Sequence, residues 1–124
     1  MIIRSGGCLC GSVSFNVKDA PMRIGLCHCA DCRKESGSSF VTFGVWPPQA
    51  FESQGEVRYF RGRGFCPECG SRVFNQIEDD GIEIRIGALD MAPTDIEPEY
   101  ELWVKRRENW LQPLPLPQYE EDRP

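Results

Sequence analysis

The seven cysteines of this 124-residue chain fall into three short groups. These are "CLC" (Cys8, Cys10), "CHCADC" (Cys27, Cys29, Cys32) and "CPECG" (Cys66, Cys69). Thiolates at such short spacing are typical zinc ligands, and a C-x-x-C turn followed by glycine closes around a metal. An odd number of cysteines, in a chain whose start has no apolar run like that of a signal peptide, argues against a disulfide framework. The pattern favours metal binding, with disulfides and isolated thiols as the alternatives.

Counting ligands divides the cysteines into two sites. A structural zinc takes four protein ligands, whereas a catalytic zinc takes three and keeps one position open. The two pairs, Cys8 with Cys10 and Cys66 with Cys69, complete a four-thiolate site, and the triplet Cys27, Cys29 and Cys32 makes a three-ligand site. In the alternative division, the four-ligand site takes two cysteines from the triplet and leaves the others without a full site.

His28 lies between two of the proposed ligands. Neighbouring side chains on an extended segment point to opposite sides, so His28 is predicted to face away from a metal held by Cys27 and Cys29. Three roles stay open for this histidine. It contacts the substrate or supports the ligands, it is a structural residue of the core, or it is itself a ligand.

The elements that must position these groups are mostly strands. Apolar residues alternate with polar ones around Phe15 and again around Phe43, as in half-buried strands. Further strands are predicted at 56–60, 72–77, 82–87 and 101–105, with a hairpin turn at 78–81 that ends on Gly81 and with Ile82, Ile84 and Ile86 facing the core. Only residues 30–37 have a helical pattern. The four-cysteine site would then tie the N-terminal hairpin to the middle of the sheet.

Composition narrows the classes of partner. Lys and Arg total 14 and Asp and Glu total 19, and the resulting net charge of −5 disfavours nucleic-acid binding. The basic residues at 58–63 and 105–107 are interpreted as solvated faces. No stretch reaches the ~20 apolar residues of a membrane span. We predict a soluble, cytoplasmic protein with one domain over 1–112, followed by a proline-rich, acidic strap over 113–124 that packs through Leu114 and Leu116.

Five segments in order resemble the glutathione-dependent formaldehyde-activating enzyme family, which shares its domain with centromere protein V. They are "GGCLCGSVSF", "CHCADCRKESG", "RGFCPECGSRVF", "GALD" and a late "W…W" segment, and the likeness covers residues 6–112. The resemblance implies a mainly β fold, often called a β-tent, of several small coiled antiparallel sheets stapled by zinc. One short helix is expected within it.

The resemblance also implies roles for individual residues. The family's structural zinc corresponds to Cys8, Cys10, Cys66 and Cys69, and its catalytic zinc to Cys27, Cys29 and Cys32. The family's named reaction joins glutathione to formaldehyde through a carbon–sulfur bond, and its reverse is a carbon–sulfur lyase reaction. Because glutathione carries two carboxylates, the expected substrate contacts are Arg33, Arg61 and Arg63, together with His28.

One late position departs from the family pattern. Many members read "P-x-x-H-I-W" there, whereas this chain reads "PEYELW", with Glu101 at the histidine position. The sequence therefore predicts a zinc enzyme of the carbon–sulfur lyase type that binds two zinc ions. Its substrates would be adducts of glutathione, or of another thiol, with formaldehyde or a related small carbonyl. A zinc-stabilised interaction module without catalysis is the alternative.

Overall fold

The computed structural model describes residues 1–77 and 81–124, and their backbone is mainly β. The strands are β1 (Ile3–Gly7), β2 (Ser14–Lys18), β3 (Arg23–Cys27), β4 (Val41–Trp46), β5 (Phe51–Gln54), β6 (Arg58–Phe60), β7 (Arg63–Phe65), β8 (Arg72–Ile77), β9 (Gly81–Arg85) and β10 (Tyr100–Leu102). The α-helix α1 is Ala30–Ser36, and 3₁₀ turns cover Pro48–Ala50, Ile86–Ala88 and Val104–Arg106. The predicted fold class, mainly β with one short helix, is confirmed for these residues.

The chain divides into two compact units. The first contains Met1–Arg23 and Gly44–Asp95, and the second contains Ile24–Phe43 and Ile96–Pro124. The predicted boundary at residue 112 stays a prediction. Among the described residues, no helix combines the length and the apolar character needed to cross a membrane.

The first unit contains antiparallel strand pairs, and the residues that β2 buries follow the alternation of apolar and polar residues in the sequence. Strands β1, β2 and β5 form one sheet, and β9, β8, β7 and β6 are neighbours in that order. In β2, Phe15 and Val17 are buried while the other three residues are exposed, as the alternation predicts. Strands β8 and β9 pair as the predicted hairpin, with Phe74 opposite Ile84. Residues 78–80 of its predicted turn lie outside the described residues.

Two strands end earlier than the sequence predicted. The strand predicted at 82–87 stops before Ile86, where a 3₁₀ turn begins, and that side chain is half-buried instead of facing the core. The strand predicted at 101–105 ends at Leu102. The next residue, Trp103, has a φ of 56°, in the left-handed region that cannot continue an extended strand.

In the second unit, β10 pairs with β3 in parallel, with Leu102 opposite Cys27. This pair is an exception to the antiparallel sheets that the resemblance implied. The chain between the two strands is long enough for the crossover that a parallel pair requires, whereas a short hairpin would force them to be antiparallel. On its other side β10 meets the C-terminal segment, because the Glu101 N–H donates to the Pro117 carbonyl at 3.0 Å. The Tyr119 N–H also donates to the Glu101 carbonyl at 2.9 Å. Of the two leucines predicted to pack this segment, Leu114 is 40% exposed and Leu116 is half-buried.

Gly25 in β3 leaves no room for a larger side chain. A Cβ there would lie 2.5 Å from Phe43 Cζ and 2.8 Å from Tyr100 Cε2, two rings whose centroids are 6.5 Å apart. We expect Gly25→Ala to lower the free energy of unfolding by about 1–3 kcal/mol, because these rings must shift. Urea unfolding followed by tryptophan fluorescence measures this effect. The control is Gly87→Ala, whose Cβ would meet no atom within 4 Å, and equal losses in the two variants would contradict the prediction.

Candidate metal centre

The cysteines of the first unit meet at two turns. Cys8 and Cys10 follow β1, and Cys66 and Cys69 lie between β7 and β8. The four Sγ atoms all lie within 4.8 Å of one another, with Cys8 and Cys10 sulfurs 3.6 Å apart and Cys10 and Cys66 sulfurs 3.8 Å apart. A tetrahedral zinc with bonds of about 2.3 Å separates its sulfurs by about 3.8 Å. The group therefore fits a four-coordinate zinc.

The turn at "CPECG" is closed by its own backbone. The Gly70 N–H donates to the Cys66 carbonyl at 2.8 Å, and the Cys66 N–H donates to the Ser71 carbonyl at 2.9 Å. Gly70 has a φ of 78°, which a residue with a Cβ adopts only under strain. The Glu68 N–H points at the Cys66 sulfur, 3.4 Å away. The chain thus presents two sulfurs on one side of a tight turn.

Two serines support these thiolates. The Ser12 Oγ lies 3.1 Å from the sulfurs of both Cys10 and Cys66, and the Ser71 Oγ lies 3.1 Å from the sulfur of Cys69. Hydrogen bonds from the Ser71 hydroxyl and N–H lower the pKa of Cys69 to about 5, which favours the thiolate that a metal requires. Neither serine was predicted from the sequence as part of this site. The repeated tripeptide "CGS" at 10–12 and 69–71 was the available signal.

The remaining three cysteines meet where β3 gives way to α1. Cys27 is the last residue of β3, Cys29 caps α1, and Cys32 lies in its first turn. Their sulfurs lie within 4.8 Å of one another, and the Cys29 sulfur accepts a hydrogen bond from the Cys32 N–H at 3.3 Å. Cys27 is buried and the other two are half-buried. Among the described residues, no fourth His, Cys, Asp or Glu joins this group.

Three ionised sulfurs at this spacing require a cation. Hydrogen bonds from Cys27 and Cys32 lower the pKa of Cys29 to about 2. The hydrogen bond to Cys29 raises the pKa of Cys27 to about 12, and the bonds to both neighbours raise the pKa of Cys32. At neutral pH the bare group therefore holds one thiolate, and a positive ion is needed to ionise all three. This donor set fits a thiophilic ion such as zinc.

His28 is bonded to a carboxylate. Its Nε2 lies 2.8 Å from Glu101 Oε1, and both residues are 2% exposed. The ring centroid lies 5.9 Å from that of Phe40, and among the described residues Nδ1 has no hydrogen-bond partner. His28 does not belong to the three-sulfur group, and its side chain is bonded to Glu101 instead. Whether it contacts a substrate stays a prediction.

Glu101 is the centre of a buried polar network. Besides His28, its carboxylate accepts from Gln118 Nε2 at 2.9 Å and the Leu114 N–H at 2.8 Å, and it pairs with Arg107 Nη2 at 3.4 Å. Burial opposes ionisation, but these donors outweigh it and lower the pKa of Glu101 to about 2. The sequence marked Glu101 as a departure from the family pattern but carried no signal for its partners.

The arginines predicted to bind substrate lie in different units. Arg33 in α1 donates to the Arg106 carbonyl at 3.0 Å and pairs with Glu108. Arg61 and Arg63 belong to the β6–β7 hairpin of the first unit, where the Arg61 guanidinium lies over the neighbouring phenylalanine ring. Through its hydrogen bond to the Arg106 carbonyl, Arg33 connects α1 to the 3₁₀ turn that ends at that residue. All three arginines stay predicted substrate contacts.

Comparison with known proteins gives three findings. A family model described as glutathione-dependent formaldehyde-activating enzyme matches residues 3–106. An uncharacterized lyase of Schizosaccharomyces pombe is 28% identical over an alignment of 74 positions, and the match covers 56% of this chain and 54% of the lyase. The chain thus spans about half the length of this relative. The crystal structure of a Rhodobacter sphaeroides protein is 19% identical with a TM-score of 0.57 over 72% of this chain and 91% of that one, a likeness of fold alone.

The family match covers most of the chain and includes all seven cysteines. The structure gathers these cysteines into a group of four and a group of three, the division that ligand counting favours. The chain therefore belongs to the glutathione-dependent formaldehyde-activating enzyme family.

Proposed function

We propose that this protein catalyses the reversible joining of a thiol to formaldehyde or a related small carbonyl, with glutathione as the first candidate thiol. The observation that carries the proposal is the group of Cys27, Cys29 and Cys32, which offers a metal three ligands where a closed site offers four. Family membership supports glutathione and formaldehyde as substrates. The name of the yeast relative, a lyase, agrees with the reverse reaction.

The reaction balances without an oxidant or reductant. The thiol sulfur bonds to the carbonyl carbon, the carbon–oxygen π bond breaks, and the thiol proton ends on the oxygen. Cys27, Cys29 and Cys32 would hold a zinc ion, which would supply a Lewis acid of moderate strength able to polarise a small carbonyl or lower the pKa of a thiol. Cys29 and Cys32 are half-buried, whereas Cys27 is buried. The two reactants are therefore proposed to meet on the side of the group where Cys29 and Cys32 lie.

The other residues take supporting roles in this proposal. A second, structural zinc would be held by the four-cysteine group, because Cys8, Cys10, Cys66 and Cys69 form a closed set of four ligands. His28, Arg33, Arg61 and Arg63 stay the proposed substrate contacts. A reducing cytoplasm, rich in glutathione, is the proposed compartment, because it keeps thiols from forming disulfides.

Cys29→Ser tests the proposal, because it removes one of the three ligands. We expect the wild type to accelerate the exchange between glutathione and its formaldehyde adduct, measured by exchange NMR against the uncatalysed reaction. The variant should lose one of two zinc ions and at least about 100-fold of the acceleration. Replacing even a residue that only hydrogen-bonds to a metal ligand lowers metal affinity or activity about 10–100-fold. Full acceleration by the variant would refute the proposal. A two-zinc wild type that accelerates no thiol addition would indicate an interaction module.

A further inference from the structure

We propose that a cavity beside α1 binds a carboxylate of an anionic thiol through Lys34 and Arg106. This inference rests on the proposed function, because it names the chemical class of the thiol that the three-cysteine group receives. Neither residue was singled out as a substrate contact from the sequence. Thiols with a carboxylate are then preferred to neutral thiols of similar size.

The cavity lies within the second unit and has a volume of about 440 Å³. It is lined by Ala30, Arg33, Lys34, residues 37–39 and Arg106. Positions 30, 33 and 34 are spaced so that they share one face of α1, and residue 37 directly follows the helix. Ala30 directly follows Cys29, so the cavity begins one residue from the three-sulfur group. A molecule with its thiol at that group and its carboxylate in the cavity would contact both.

The cationic side chains of the cavity differ in how far their charge is compensated. Arg33 pairs with Glu108 and donates to the Arg106 carbonyl, so it fixes the backbone of that residue. The side chains of Lys34 and Arg106 are exposed, and neither has an ion pair or hydrogen bond within the described part of the chain. Among the residues that the structure describes, no acidic side chain lines the cavity, although the chain carries a net charge of −5. Two uncompensated cations at one concave site attract an anion.

Two carbonyls near the end of α1 are already hydrogen-bonded, which reduces the negative charge that they present to an anion. The Gly37 N–H donates to the Arg33 carbonyl at 2.9 Å, and the Ser36 Oγ donates to the Cys32 carbonyl at 2.7 Å. A carboxylate accepts charge-assisted hydrogen bonds from an ammonium and a guanidinium, which are stronger than bonds between neutral groups. The neighbouring hydroxyls at 38 and 39 add neutral donors.

S-methylglutathione is the probe that tests this inference. It keeps both carboxylates but has no free thiol, so its binding does not depend on the reaction. We expect isothermal calorimetry to show at least about tenfold weaker binding to Lys34→Gln/Arg106→Gln than to the wild type, because two charged donors are lost. The matched control, Lys18→Gln/Arg58→Gln, removes two exposed charges that do not line the cavity and should bind as the wild type does. Circular dichroism verifies that each protein is folded.

The outcomes separate this inference from the proposed function. Equal affinities in the three proteins, no binding to the wild type, or equally tight binding of the diethyl ester of the probe would overturn the carboxylate site. If the Lys34 and Arg106 variant alone loses binding but the wild type turns over no thiol, the anion site stands and the proposed reaction fails. If turnover of glutathione is retained with an unchanged KM in that variant, the reaction stands and the anion site fails.

Discussion

Cys66→Ser is expected to leave the chain unfolded at 25 °C. Cys66 is fully buried, and its sulfur lies 3.8 Å from that of Cys10 on the other turn of the four-cysteine group. A structural zinc contributes about 10–16 kcal/mol to folding in small domains, which matches or exceeds the about 5–15 kcal/mol net stability of most domains. Loss of one ligand is therefore expected to cost more free energy than the net free energy of unfolding of the domain. Far-UV circular dichroism and zinc content by plasma mass spectrometry measure the result.

Cys29→Ser is the matched control for that experiment. It makes the same chemical change in the three-cysteine group, and serine is a preferred residue at the N-cap position that Cys29 occupies. This variant should fold and bind one zinc instead of two. A folded Cys66→Ser protein with an unchanged melting temperature would show that the four-cysteine group does not stabilise the fold through a metal.

The grouping of the cysteines could be predicted because ligand chemistry restricts the possibilities. A structural zinc takes four protein ligands, and only one choice of two cysteine pairs completes such a set and leaves the other three cysteines close together in sequence. The alternation around Phe15 likewise placed β2 correctly, since a two-residue period is a local property of the sequence. The first inference depends on the number of ligands that a metal takes, and the second depends on residues that are close in sequence.

Other features depend on contacts between distant segments, which local patterns do not encode. Glu101 lies 73 residues from His28 and 17 from Gln118, and neither spacing has a periodicity that would associate them. β10 ends at Leu102 because the next residue, Trp103, has a positive φ that this residue type seldom adopts, whereas propensity favoured a longer strand. The parallel pairing of β10 with β3 also follows from tertiary structure.

Glu101→Ala should be the most damaging substitution in the second unit outside the cysteines. It leaves the Arg107 guanidinium without its carboxylate and removes the acceptor of Gln118, His28 and the Leu114 N–H in a buried site. Breaking a buried ion pair from one side costs about 3–5 kcal/mol. Urea unfolding at pH 7 measures this loss, and the exposed Glu97→Gln is a control that should change stability by less than about 0.5 kcal/mol.

The pH dependence of Glu101→Gln separates the charge of this carboxylate from its shape. The network lowers the pKa of Glu101 from 4.5 to about 2, so its ionised form contributes about 3 kcal/mol to stability at neutral pH. Because the folded pKa is the lower one, this contribution is complete above pH 4.5 and is lost as the pH falls towards 2. The stability difference between wild type and variant should therefore be largest near pH 7 and shrink below pH 4.5.

Acid also releases zinc from thiolates, but it does so in both proteins, so the difference between them isolates Glu101. A difference that stays constant from pH 7 to pH 3 would mean that the charge of Glu101 contributes nothing and that its hydrogen-bonding geometry alone stabilises the network.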